Sequence, residues 1–118
     1  MRRFIIGIPL FLGALPANAG SFTALSSYYG GGSRGEYLNA RTASGERFRA
    51  GAMICAHRTL TFGTRLLVSR AGHSVVVRVA DRGPNIRTGR DLDLSRGAAA
   101  RLGMIRAGVA QVTVAILD

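Results

Sequence analysis

The carboxylates and imidazoles of this 118-residue chain are few enough to weigh singly: Glu36, Glu46, Asp81, Asp91, Asp93, Asp118, His57 and His73. Asp81 is the first candidate. It follows a valine-rich run, His73 to Ala80, and opens Asp81-Arg82-Gly83-Pro84, a sequence that stops a strand abruptly. A carboxyl at the mouth of a strand-built pocket is partly withdrawn from water and can keep a proton ready for a leaving oxygen. The same residues suit a turn aspartate that pairs with Arg82 or Arg87, or that accepts backbone N–H groups. Glu46 and His57 lie eleven residues apart on separate segments. Glu46 can orient a hydroxyl or set the charge around Asp81, and His57 can hydrogen-bond the carboxyl or a substrate. Their plainer readings are a solvated loop acid beside Arg47 and Arg49, and a histidine capping a turn. His73 reads as a strand residue without further role.

Other chemistry is excluded by residue type. All sixteen basic residues are arginine, so Schiff-base chemistry and a phosphate-binding P-loop lysine are ruled out. The single cysteine, Cys55, supports neither a disulfide framework nor a cysteine zinc site and reads as a small buried hydrophobe. The histidines and aspartates lack any His-x-x-x-His or His-Glu-x-x-His spacing, so no metal and no cofactor are expected. Tyr28, Tyr29 and Phe62 are candidate platforms for the apolar faces of sugar rings. Tyr28 and Tyr29 are adjacent in an extended run, so at most one of them faces a given cleft. Arg82 and Arg87 can fork onto carboxylates, or be ordinary surface charge.

The elements that must position these groups are short. Residues 1–19 read as an address: Arg2 and Arg3, an apolar run from Phe4 to Leu15, Pro16, then Ala17-Asn18-Ala19 as a cleavage site. The run is too short to span a bilayer, and no cysteine follows it for lipid attachment, so no stable membrane anchor is expected after cleavage. The protein is then exported to the periplasm or envelope, with 20–118 as one domain. Removing Arg2 and Arg3 lowers the formal charge from +10 to +8. Export and the scarcity of aromatic residues argue against a nucleic-acid partner despite that charge.

Within 20–118, Phe22–Tyr29, Arg65–Arg70, His73–Ala80, Asp91–Leu94 and Val109–Leu117 read as strands. Ala50–Ala56 suits a strand or a helical turn. Ala71-Gly72 predicts a hairpin. Ser95 predicts an N-cap for a helix over Ala98–Leu102 that stops at Gly103. Valines on both faces of His73–Ala80 favour a closed barrel over an open sheet. The fold class is mostly β: a six-stranded barrel with one or two short helices.

The motifs Ser27-Tyr28-Tyr29-Gly30, Thr42-Ala43-Ser44-Gly45-Glu46-Arg47-Phe48, Ala56-His57-Arg58-Thr59-Leu60-Thr61-Phe62-Gly63-Thr64, Val77 to Pro84, and Asp93-Leu94-Ser95 with Ala98 to Gly103 occur in this order. Together they resemble the rare lipoprotein A family of endolytic peptidoglycan transglycosylases, over roughly 24–117. The resemblance implies a double-psi β-barrel, shared with barwin and expansins. It also implies cleavage of the MurNAc-β-1,4-GlcNAc bond with formation of 1,6-anhydro-MurNAc, preferring strands without stem peptides. It assigns Asp81 as the catalytic acid with Glu46 and His57 in support, and peptidoglycan glycan strands as the partner. A lytic reaction suits a chain so poor in acids. The muramic C6 hydroxyl is a tethered nucleophile of high effective molarity, so one carboxyl can protonate the leaving oxygen and then deprotonate the C6 hydroxyl. Hydrolysis with Glu46 as a second carboxylate, and a non-catalytic, expansin-like polysaccharide-binding barrel, are the alternatives. The stretch Gly30–Arg41 is longer and looser than its counterpart in the family, which would reshape one cleft wall.

Overall fold

The computed structural model describes residues 20–30 and 40–118. The expected signal peptide and most of the stretch after Gly30 lie outside them. The strands are β1 Ser21–Tyr29, β2 Ile54–Ala56, β3 Arg65–Arg70, β4 His73–Asp81, β5 Leu92–Ser95 and β6 Ala110–Ile116, with one α-helix, α1 Arg96–Arg101, and a 3-10 turn at Ile86–Thr88. They close into a barrel in the order β1-β5-β2-β4-β3-β6. β1 is parallel to β5 and β2 is parallel to β4, while the remaining pairs are antiparallel. Of Ala50–Ala56, only the last three residues are strand. The expected hairpin forms with Ala71 at φ 49° and Gly72 at φ 83°, the left-handed pair that lets a two-residue turn follow the strand twist. Ser95 caps α1 through its Oγ, which accepts from Ala98 N–H, and Gly103 follows the helix end at φ 67°.

Strand alternation fills the interior. Ala24, Cys55, Leu66, Val68, Val75, Val77, Val79, Leu92, Leu94, Val112 and Val114 form one core, closed at the side by Ala98, Ala99, Leu102 and Met104. Burying each such aliphatic side chain contributes on the order of 1.5–3 kcal/mol before entropy is counted. The barrel is closed as expected, but for a different reason. Val76 is 43% exposed, so β4 is not buried on both faces; every strand edge is instead satisfied by a neighbour.

A second, smaller cluster lies on the outward side of the wall formed by β1, β5, β2 and β4. Phe48, Ile54 and Ala80 pack there with Tyr29, Ala50 and Ala52, so the segment 40–53 covers this part of the barrel. Gly30 is required for this cover: at φ +83° a Cβ would meet Phe48 Cζ at 2.3 Å. No helix among the described residues is long and apolar enough to cross a membrane.

Candidate active site

Asp81 ends β4, and a bulge decides where it points. Cys55 pairs with Val79 but Ala56 pairs with Asp81, so Ala80 is an extra residue in the ladder. Val75, Val77 and Val79 face the core, and uninterrupted alternation would send Asp81 inward after them. The bulge re-aims it onto the outer face, beside Ala56 and below the turn at 42–46. The carboxyl therefore lies on the barrel's outer wall rather than in its interior. Its Oδ1 accepts from Ala43 N–H at 2.9 Å and from Arg82 N–H at 3.0 Å. Its Oδ2 faces the Tyr29 hydroxyl, which donates over 3.4 Å. Asp81 takes no part in the ion pairs Arg58–Asp91, Arg65–Asp118 and Arg78–Glu46, and the donors to its carboxylate are neutral.

Tyr29 is fixed from the covering segment. Phe48 stacks on its ring at 5.2 Å between centroids, and Phe48 lies on Gly30. Burial first, then the charges of Asp81 and Asp93, push the phenol far above its ordinary range, so it remains a proton donor. Tyr28 points the other way, as alternation requires, and donates to the Ile105 carbonyl at 2.8 Å.

The structure adds a carboxylate that sequence reasoning left without a role. Asp93 lies across Ala56 from Asp81: Ala56 is paired with Asp93 on one side and with Asp81 on the other, while Ser27 pairs with Asp93 from β1. Leu92 and Leu94 enter the core, so Asp93 faces outward with Ser27, whose Oγ donates to Oδ1 at 2.9 Å. Burial raises its pKa from 3.8 to about 6; Ser27 and Arg90 oppose the shift and the Asp81 charge reinforces it. Cys55, buried behind it, has its thiol pushed up to about 12 by burial and by Asp93. The available signal was Asp91-Leu92-Asp93-Leu94, where alternation places one acid between two core leucines.

Glu46 sits on the same wall, but its carboxylate is taken up by Arg78. Oε1 accepts from Arg78 Nη2 at 2.9 Å and Oε2 from Arg78 Nη1. Arg78 holds the acid below its ordinary range. His57 follows β2, and its backbone N–H donates to the Asp81 carbonyl at 3.2 Å. Its ring turns away from the carboxyl: Nδ1 accepts from Thr59 N–H and Leu60 N–H, both at 3.1 Å, and the ring meets Phe22 edge-on. With Nδ1 accepting, the neutral ring carries its proton on Nε2. Burial, Arg58 and Arg82 lower its pKa, with Asp91 opposing.

The arginines serve largely as loop clamps. Arg82 Nη1 donates to the His57 and Leu60 carbonyls at 3.2 and 2.7 Å, and its guanidinium lies 3.9 Å over the centre of the Phe62 ring. Arg58 bonds the Pro84 and Arg90 carbonyls and reaches Asp91. Arg87 lies on the exposed 3-10 turn with Ile86, apart from these contacts. Among the described residues no three of His, Cys, Asp and Glu converge as a metal-binding group.

This is a double-psi β-barrel with a polar site on its outer wall. The Streptomyces papain inhibitor shares the fold, with a TM-score of 0.65 and 22% identity over 83% of this chain and 94% of that one. So does the expansin of Clavibacter michiganensis, at 0.65 and 21% over 83% and 50%. Residues 22–114 match the double-psi barrel family described as lytic transglycolase, and the chain belongs to that family. A relative from a Nostoc species, named a probable endolytic peptidoglycan transglycosylase RlpA, is 54% identical over 100 residues, which cover 82% of this chain and 26% of that protein. The chain thus spans about a quarter of the length of the curated relatives it matches first.

Proposed function

We propose that this barrel cleaves the MurNAc-β-1,4-GlcNAc bond of peptidoglycan glycan strands and leaves 1,6-anhydro-MurNAc ends. The observation that carries the reading is the placement of two carboxyls, Asp81 and Asp93, on one outer face across a single alanine, with the Tyr29 phenol beside Asp81. Asp81 is the acid/base. Two backbone N–H groups fix Oδ1 and leave Oδ2 as the oxygen that meets the sugar. It protonates the departing O4 of GlcNAc as the muramic C6 hydroxyl closes on C1, and then takes the C6 proton. Asp93, tied to Ser27, keeps its own proton in the site up to about pH 6. Glu46 and His57 act through the loops they hold. Phe62 and Tyr29 are the ring surfaces for sugars, with Phe62 backed by Arg82. Arg87 is free to meet a lactyl or peptide carboxylate.

The proposal includes export by the segment 1–19, action in the periplasm or envelope without a lasting membrane anchor, and preference for strands without stem peptides. Incubating purified sacculi with the protein tests the reaction. 1,6-Anhydromuropeptides detected by mass spectrometry, and lost with Asp81→Asn, support it. Reducing ends would make the protein a hydrolase. Binding to sacculi without released fragments, unchanged in Asp81→Asn, would make it a non-catalytic barrel. Amidase-treated and untreated sacculi digested side by side read the stem-peptide preference.

A further inference from the structure

The turn at 42–46 is a closed unit. Thr42 N–H donates to the Glu46 carbonyl at 2.8 Å, Gly45 N–H donates to the Thr42 carbonyl at 2.9 Å, and the Thr42 and Ser44 hydroxyls share a hydrogen bond of 2.8 Å. This unit docks on the end of β4 at three points. Ser44 N–H donates to the carbonyl of the bulge residue Ala80 at 3.1 Å, Ala43 N–H donates to Asp81 Oδ1 at 2.9 Å, and the Glu46 carboxylate grips the Arg78 guanidinium through both oxygens. Ser44 Oγ also donates to Glu46 Oε2, at 3.3 Å. Glu46 thus has both oxygens engaged by Arg78, which lies three strand residues before the acid that Glu46 was expected to assist.

We propose that Glu46 and Arg78 form a latch that positions Asp81: their ion pair pins the turn to β4 so that the Ala43 N–H meets Oδ1 and turns Oδ2 toward the substrate. Arg78 is thereby a positioning residue, and Glu46 acts on the reaction through Ala43 rather than by touching the sugar. The inference rests on the functional reading above for its catalytic consequence, but not for its geometry. The neighbouring pair provides an internal control. Arg65 lies directly across β3 from Arg78 and forks onto Asp118 at 2.9 and 2.8 Å, yet holds nothing that touches Asp81. The latch side chains are 45% and 33% exposed, so an ion pair there adds little to global stability. Its loss is read locally.

The test uses the full chain with Glu46→Gln, Arg78→Met and the exchange Glu46→Arg/Arg78→Glu. Sacculus cleavage, thermal midpoint and hydrogen exchange of the Ala43 amide are measured together. The latch predicts that each single variant loses about 10- to 100-fold in turnover, the scale expected of a displaced catalytic group. It also predicts that each loses Ala43 amide protection with little change in midpoint, and that the exchange recovers much of both. If Glu46→Gln abolishes turnover while Arg78→Met changes neither turnover nor Ala43 protection, Glu46 contacts the substrate and the latch is overturned. If the wild type cleaves nothing while both single variants still expose the Ala43 amide, the latch stands and the functional reading falls.

Discussion

On their inward side, β1, β5, β2 and β4 carry Ala24, Leu92, Leu94, Cys55, Val77 and Val79, all fully buried; on their outward side the same strands carry Ser27, Tyr29, Asp93, Ala56 and Asp81. The inner face is held by area removed from water, and its buried Ser26 is satisfied by donating its hydroxyl to the Ser27 carbonyl. The outer face is covered in part by 40–53, which stacks Phe48 on Tyr29, while Asp81 and Asp93 stay half-buried there and burial raises the pKa of Asp93. Strand alternation alone builds both faces. One bulge at Ala80 moves Asp81 from the first to the second. A small barrel can thus present titratable groups on its outer wall without opening its core.

The contrast is broken most severely at Asp81. Asp81→Asn keeps the shape of the outer face and removes its transferable proton; cleavage of sacculi should fall by about 10²- to 10⁴-fold, with the thermal midpoint little changed. Leu94→Ala strikes the opposite face one residue from Asp93. It should cost about 2–5 kcal/mol in denaturant unfolding, since a fully buried leucine leaves a cavity among rigid neighbours.

Asp93→Asn separates the two faces by pH. The folded chain holds the Asp93 proton up to about pH 6, against 3.8 for an ordinary aspartate. Between these values the folded state binds more protons than the unfolded one, so the wild type loses stability as pH rises through this window and stays lower above it. The asparagine variant should melt higher than wild type at pH 7.5, with the gain fading as pH falls toward about 4. Its turnover should drop, and the wild-type rate should decline as pH rises past about 6 if the proton on Asp93 is used. An unchanged melting difference across pH would remove Asp93 from the site. The smallest effect belongs to the exposed Arg65–Asp118 pair, one strand over from Arg78. Asp118→Asn breaks the exposed fork with Arg65 and should alter turnover by less than about twofold, because that pair bonds neither Asp81 nor Asp93.

Much of this architecture was legible in the residues. Period-two alternation located β1, β3, β4, β5 and β6, Ser95 and Gly103 bracketed α1, and Ala71-Gly72 closed the hairpin. β2 was ambiguous because three residues carry too little periodicity to separate a strand from a turn. The bulge was invisible for a related reason: it inserts one residue without any change in apolar pattern, since Ala80 packs as well outside as inside. Tyr29 and the opposition of Tyr28 to Tyr29 were within reach of alternation, whereas Asp81 was marked by the end of the valine run and its outward aim depends on the bulge. Asp93 had the same signal but competed with its neighbour Asp91. Arg78 could not be read as a partner of Glu46, because that contact spans 32 residues and depends on how the turn at 42–46 folds back.

The central claim, that the outer-face carboxyls drive an internal attack by the sugar's own hydroxyl, is tested most directly by digesting glycan strands in heavy-oxygen water and weighing the new muramic ends. The account predicts ends that lack one water and carry no label in the wild type, and no new ends with Asp81→Asn. Ends bearing one heavy oxygen would mean that solvent attacked, and would contradict it.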